Sequence, residues 1–297
     1  MITRFAPSPT GLLHLGHAYA ALKAWDESDP AGFVLRIEDL DRTRCRAEFV
    51  QAIFEDLAWL GLAWHEPVLY QSMRASAYGE ALSILANRGL TYPCFCTRTT
   101  IASARAGTVA AEGAADIALA AEAPHPSMHP TPVYPGTCRG MAANERQRRL
   151  ERGDAHAWRL DVVRAAQQPE ALHLQFIEEG EAVAGQATRI AVQPQLHGDI
   201  VLARKDLPAA YHLAVVVDDA FQQVTLVTRG EDLQPATHVQ RLLQALLGLP
   251  MPRYAHHRLI LDAQGRKFSK RDLSPTLRAL RAEGCTPASL RQRLGLT

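Results

Sequence analysis

MITRFAPSPTGLLHLGHAYAALKAW, residues 1–25, reads as a strand, a punctuated loop and a helix in succession. Residues 2–6 suit a short strand, and Pro7, Pro9 and Gly11 then interrupt regular structure. From His14 the pattern turns helical, with Ala18, Ala21, Leu22 and Trp25 at helical spacing. His14 and His17 stand three apart at the expected helix start, so both project to one side. A helix N-terminus offers unpaired N–H groups and partial positive charge, which suits an anion such as phosphate. Gly16 removes a side chain where a flat base could approach the backbone. A His-x-x-His pair also arises by chance, so its meaning depends on the rest of the chain.

Working outward, residues 32–37 form an apolar, strand-like run that Glu38-Asp39 closes with charge. Helical periodicity returns over residues 49–60 and 75–85. Strand, helix, strand, helix is the grammar of a parallel α/β sheet. The order breaks at Cys94, and residues 104–132 read as an Ala-, Gly- and Pro-rich inserted loop. Strand-like and turn-like segments follow over 157–185. Residues 200–204, the apolar run 213–217 and residues 224–228 resume the α/β pattern. A helix is expected over 235–247, with Pro235 placed early, where its missing N–H costs little. Residues 257–261 suggest a strand whose Asp262-Ala263-Gln264-Gly265 turn delivers a basic run. Two short helices, 275–283 and 287–294, close the chain.

Composition sets outer limits. The 297 residues are 47% hydrophobic and 21% charged, as expected of a soluble globular protein. A net charge of +1 neither supports nor excludes a nucleic-acid partner. No apolar run approaches the ~20 residues of a membrane span. A basic segment followed by an apolar secretory core is absent from the N-terminus, so a cytoplasmic protein is expected. The five cysteines are odd in number and include a Cys-x-Cys pair, which favours metal or free thiols over a disulfide framework.

Lys267-Phe268-Ser269-Lys270-Arg271 gathers cations far from the opening stretch. Alone, such a run is commonly a solvated face. The two stretches together are more specific. His14-Leu15-Gly16-His17 resembles the HIGH motif of class I aminoacyl-tRNA synthetases, and Lys267 to Arg271 resembles their KMSKS motif. Arg4-Phe5-Ala6-Pro7-Ser8-Pro9-Thr10-Gly11 and Arg36-Ile37-Glu38-Asp39 resemble the glutamyl branch of that class. So do Tyr211-His212-Leu213-Ala214 with Val217-Asp218-Asp219, and Arg229-Gly230-Glu231-Asp232-Leu233. These blocks occur in the family's order.

The resemblance implies an α/β fold: a Rossmann-like class I catalytic domain with an inserted zinc-containing subdomain. Residues 1–90 would form the first half of the catalytic domain, and 91–190 the zinc-binding, acceptor-like insertion with its Ala-rich loop at 104–132. Residues 191–297 would supply the second half, the KMSKS-like loop and a short helical tail. The implied chemistry is attack of an amino-acid carboxylate on the α-phosphate of ATP, giving an aminoacyl-adenylate and pyrophosphate. Such a reaction needs positioning and cations rather than a protein nucleophile. By resemblance, His14 and His17 stabilise the transferring phosphate and Gly16 lies against ATP. Lys270, assisted by Lys267, clamps phosphates that Mg2+ accompanies.

A glutamate substrate brings two carboxylates and an ammonium. Arginine suits carboxylate because its planar fork donates two parallel hydrogen bonds. Arg4 and Arg229 match family positions for that purpose, Glu38 matches the acceptor of the α-ammonium, and Ser8 and Tyr211 match hydroxyl contacts. Each alone would be an ordinary ion pair or solvated hydroxyl. A charged pocket of this kind disfavours glutamine, the main competitor.

Cys94-Phe95-Cys96 and Tyr134-Pro135-Gly136-Thr137-Cys138 resemble the family's zinc element, and thiolates suit one structural Zn2+. Family position offers Tyr134 as fourth ligand; His125 and His129 are chemically more ordinary alternatives, and a metal-free cysteine trio is the third. Residues 97–133 are longer and richer in alanine than the resemblance leads one to expect. Cys45 and Cys285 have no expected partner.

A full glutamyl-tRNA synthetase continues past its KMSKS loop into a helical anticodon-binding domain, which is not expected here. The shorter form resembles the glutamyl-queuosine tRNA(Asp) synthetase family. Its members transfer glutamate to queuosine in the anticodon of tRNA(Asp) rather than to the 3′-terminal ribose. Unstacked anticodon bases are accessible to a catalytic cleft. The implied partners of a monomeric, membrane-independent chain are L-glutamate, ATP and queuosine-containing tRNA(Asp). Charging of a tRNA 3′ end, a tRNA-independent adenylating ligase and a catalytically dead binding module are the alternatives.

Overall fold

A computed structural model describes residues 1–106, 133–261 and 275–296. Strand β1 (Thr3–Phe5) is buried along its length, and the Pro-Ser-Pro-Thr-Gly loop leads from it to α1 (Leu15–Asp26). Parallel to β1 runs β2 (Phe33–Ile37), followed by α2 (Ala47–Trp59). Strand β3 (His65–Tyr70) adds to β2 in parallel and leads to α3 (Ala75–Asn87). This strand has no clear sequence signal, because His65, Glu66 and Pro67 are exposed at the sheet's edge. Proline is tolerated at an edge because no ladder N–H is lost.

The middle of the chain holds β4 (Thr91–Cys94), α4 (Arg98–Ala106), α5 (Ala143–Glu151), β5 (Ala157–Leu160) and α6 (Val162–Ala166). Then come β6 (Gln175–Glu178), β7 (Thr188–Ala191), β8 (Val201–Arg204), α7 (Tyr211–Phe221) and β9 (Leu226–Gly230). The chain closes with α8 (Ala236–Leu246), β10 (Arg253–His257), α9 (Leu277–Ala282) and α10 (Pro287–Leu294). The apolar run 213–217 therefore lies in a helix. The strand expected at 257–261 ends at His257 instead. Its polar residues hid it, since buried His256 is satisfied by Glu178 from a neighbouring strand. The inserted-loop reading of 104–132 falls mostly outside the described residues.

Three strand groups form. One is the parallel set β1-β2-β3, and a second is β9-β10-β6 with β7 as its antiparallel edge. The third is the antiparallel set β4-β5-β8. The first two are stitched together where β1 meets β9. The Thr225 and Leu226 N–H groups donate to the Ile2 carbonyl at 2.9 and 3.1 Å. Arg4 Nη1 donates to the Thr228 carbonyl at 2.8 Å. The spatial order is thus β3-β2-β1-β9-β10-β6-β7. From β1 the chain moves outward to β3, and the later strands build on β1's other side. That reversal opens a crevice at the carboxyl ends of β1 and β9, where α/β sheets bind ligands.

Side chains of α1, β2 and α2 pack with Leu277, Leu280, Leu290 and Leu294 of the last two helices. A second core joins α3, α6, α7 and α8. In α8, Val239, Leu242, Leu243 and Leu246 recur at helical spacing and are buried, which explains why this helix was legible.

Candidate active site

Arg4 and Arg229 lie at the carboxyl ends of β1 and β9, and both are buried. Arg4 donates from Nε to Asp219 Oδ1 at 3.3 Å. The same oxygen accepts from Nη1 of Arg36 at 2.8 Å. Arg36 is fully buried, and its Nη2 has no hydrogen-bond partner among the described residues. Its Nε stands 3.6 Å from Glu38 Oε1. Neighbouring Asp218 accepts from Gln71 at 2.9 Å, from Arg74 at 2.7 Å and from Tyr78 at 2.7 Å. Two adjacent aspartates on α7 therefore hold the arginines of β1 and β2 on one side and the start of α3 on the other.

Burial pushes the Glu38 carboxyl up to about 7, against the opposing pull of Arg36 and Arg4. Burial also acts on Asp219, but there Arg36 and Arg4 outweigh it and hold the carboxyl below the usual range. The loop carrying Ser8 is tied to the same strand end: Glu38 N–H donates to the Pro7 carbonyl at 3.1 Å. Ser8 itself is half-buried.

Arg229 differs from the other buried arginines in its partners. Its Nε donates to His256 Nε2 at 3.1 Å, and its Nη2 to Thr237 Oγ1 at 2.7 Å. Nη1 reaches Gln240 Oε1 at 2.8 Å and the Tyr211 hydroxyl at 3.4 Å. None of these acceptors is a carboxylate. Asp219 acts on Arg229 through charge alone, so the guanidinium makes no hydrogen bond to a carboxylate and keeps a donor that a ligand anion can use.

At the start of α1, His14 caps the helix with extended backbone and accepts from Gly16 N–H at 3.2 Å. His17 Nδ1 accepts from His14 N–H at 3.2 Å, completing a reciprocal cap. The two rings lie 3.8 Å apart between centroids. A Cβ on Gly16 would meet the His14 ring at 3.2 Å, so a side chain there would crowd the cap. Lys267 and Lys270 lie outside the described residues. Their downstream flank is placed: Thr276 bridges to His14, and Leu277 N–H donates to the Leu13 carbonyl at 2.9 Å.

The Sγ atoms of Cys94, Cys96 and Cys138 all lie within 4.8 Å of one another. The Tyr134 hydroxyl sits 3.2 Å from Cys94 Sγ and 3.5 Å from Cys96 Sγ. Cys96 and Cys138 are 3.5 Å apart, close to the ~3.8 Å sulfur separation that a tetrahedral zinc shell imposes. The Arg159 guanidinium lies over the Tyr134 ring at 3.9 Å, a cation beside a potentially anionic cluster. Three sulfurs and one oxygen therefore converge as four ligands would, and the donor set fits zinc. His125 and His129 lie outside the described residues.

Residues 1–297 match the family described as tRNA synthetases class I (E and Q), catalytic domain. The chain belongs to that family. It is 44% identical to a glutamyl-Q tRNA(Asp) synthetase of Rhodobacter capsulatus, over the full length of both. With one from Nocardia farcinica it shares 40% identity across 99% of this chain and 84% of the relative. Among solved structures, it resembles a glutamate tRNA ligase from Elizabethkingia meningosepticum in complex with its amino acid. The TM-score is 0.66 at 27% identity, covering 92% of this chain and 52% of that one. The chain thus spans about half the length of that ligase.

In this class I synthetase, Arg36, Asp219, Glu178, His256, Thr237 and Gln240 support the crevice. Arg36 and Asp219 stood in the family blocks of the sequence without an individual role, and the other four carried no signal there. No helix among the described residues is long and apolar enough to cross a membrane.

Proposed function

We propose that this synthetase activates L-glutamate with ATP as glutamyl-adenylate and transfers the glutamyl group to queuosine in the anticodon of tRNA(Asp). The observation that carries the glutamate assignment is Arg229, a buried cation whose described hydrogen-bond acceptors are all neutral. The substrate's γ-carboxylate supplies the anion, Glu38 accepts from the α-ammonium, Arg4 is a second cation for the carboxylates, and Ser8 and Tyr211 are hydroxyl contacts. The acceptor assignment follows the relatives named glutamyl-Q tRNA(Asp) synthetase, which align along nearly the whole chain.

In the first step a substrate α-carboxylate oxygen bonds to the α-phosphorus of ATP, and the bond to pyrophosphate breaks. His14 and His17 stabilise the transferring phosphate, Gly16 lies against ATP, and Lys267 and Lys270 meet the charge of the leaving phosphates together with Mg2+. In the second step a queuosine hydroxyl attacks the glutamyl carbonyl and AMP leaves. The reaction takes place in the cytoplasm. A zinc ion on Cys94, Cys96, Cys138 and Tyr134 would cross-link β4 to the segment that follows the insertion. Its role there is structural.

The decisive experiment supplies labelled glutamate, ATP and tRNA(Asp) with or without queuosine, then digests the product with nuclease. Label is expected on the anticodon fragment only when queuosine is present. Label on a terminal adenosine would establish 3′-end charging instead, and product formed without any tRNA would favour a small-molecule ligase.

Two further outcomes are expected. Purified protein should carry about one zinc per chain, and Cys94→Ser should lose it and melt at lower temperature. Unchanged zinc content in that variant would remove Cys94 from the shell. The KM for glutamate should rise as pH falls below about 7. Glu38 then takes up a proton and can no longer accept from the α-ammonium as a carboxylate. Binding at neutral pH should accordingly release a proton. Glu38→Gln should raise this KM and flatten its pH profile; a profile unchanged by the substitution would assign the titration elsewhere.

A further inference from the structure

Glu178, His256 and Arg229 sit on three neighbouring parallel strands, β6, β10 and β9, with His256 directly opposite Arg229 in register. Glu178 and His256 are among the most buried polar residues of the protein, at 1% and 0% exposure. Glu178 Oε1 accepts two backbone N–H groups, from Gly180 and His256, both at 2.9 Å. Its other oxygen, Oε2, lies 2.6 Å from His256 Nδ1. Gly180 makes the approach feasible, because a Cβ there would fall 2.3 Å from the His256 backbone and 2.6 Å from Glu178 Oε1.

This arrangement dictates the protons. A carboxylate holding two N–H donors on one oxygen presents only an acceptor on the other, so Nδ1 must carry a hydrogen. Burial pushes the His256 imidazole down to about 4, against the pull of Glu178, and the ring is neutral at ordinary pH. Nε2 is then a bare lone pair facing the Arg229 Nε–H at 3.1 Å.

We propose that Glu178 and His256 are positioning residues for amino-acid selection. Glu178 locks His256 in the Nδ1–H tautomer, and Nε2 orients Arg229 without neutralising it. The physical reason lies in the intervening ring. A carboxylate paired directly with Arg229 would compete with the substrate's γ-carboxylate, whereas a neutral imidazole supplies direction and leaves the guanidinium charge available. Glutamate, which brings the anion, is thereby favoured over glutamine, which does not. The inference rests on Arg229 being the γ-carboxylate receptor.

Glu178→Gln tests it with almost no change of shape. The two backbone donors require the amide oxygen at the Oε1 position, so the amide NH2 faces His256 Nδ1. The imidazole must then accept on Nδ1 and carry its hydrogen on Nε2, against Arg229. The KM for glutamate is expected to rise about 30-fold with the KM for ATP unchanged, and selectivity over glutamine should fall. Long-range 1H–15N spectra of histidine-labelled protein should show His256 changing from the Nδ1–H to the Nε2–H form. An Nε2–H form in the wild-type protein, or an inverted tautomer with KM and selectivity intact, would overturn the proposal. Should the amide variant not fold, His256→Gln retains an acceptor for Arg229 whereas His256→Phe does not. The first should keep the lower KM for glutamate, and equal values would refute the role. Arg229→Ala separates the two layers: an unaltered glutamate KM there removes the receptor assignment, while the tautomer result still stands on its own.

Discussion

Arg229→Ala is expected to raise the KM for glutamate by about 100-fold or more, equivalent to roughly 3 kcal/mol, with little change in the KM for ATP. The size follows from burial. In a desolvated crevice a charge-assisted hydrogen bond to carboxylate, here from the second Nη2 N–H, is stronger than its exposed equivalent. The selectivity follows from its neighbours near the end of β9, where Arg229 bonds to His256, Thr237, Gln240 and Tyr211 and to neither capping histidine of α1. Stability should respond differently. The substitution leaves the acceptors of Thr237, Gln240 and His256 without their donor, yet it also removes a buried cation with no carboxylate hydrogen-bonded to it. These effects oppose one another, so melting temperature should move far less than substrate affinity. Steady-state kinetics for both substrates alongside thermal melting make the check. A large fall in melting temperature with unchanged glutamate KM would mean that Arg229 serves the core rather than the substrate.

Lys270→Ala is expected to slow adenylate formation by about 100- to 1000-fold, the usual consequence of losing one preorganised donor to a developing anion. Lys270 lies outside the described residues, which resume at residue 275. The Thr276 backbone pairs with His14, and Thr276 caps α9 by accepting from Ala279 N–H at 3.1 Å. Leu277 and Leu280 then anchor α9 in the core shared with α1. The described chain from Thr276 is thereby held against the start of α1. That flank takes its packing from leucines rather than from the lysine, so folding should be unaffected. Single-turnover adenylate formation measures the effect, and near-normal rates would show that the basic run is a solvated face.

Much of the first half-sheet was legible because its signals are local. The loop before α1 is marked by two prolines and a glycine, and α1 begins at the histidine that caps it. Helices α2, α3 and α8 each bury residues at helical spacing, so periodicity revealed them. Strand β10 was misplaced because its signal is not local. Tyr254 and His256 give no apolar signal, and Gln244 and Glu178 satisfy them in the interior. Helix α5 escaped for the opposite reason: it buries no residue, so it has no apolar stripe to read.

The residue sequence by itself determined the α/β class, the family blocks and the cysteine-tyrosine spacing. Each of these is a choice of residue types within a few positions, where geometry is set by neighbouring bonds. Only the tertiary structure decided how the crevice is charged. Arg36 meets Asp219 across 183 positions, and His256 meets Glu178 across 78. Whether a buried arginine is neutralised or left open to a ligand depends on such pairings. Sheet order makes them, and no spacing along the chain encodes them.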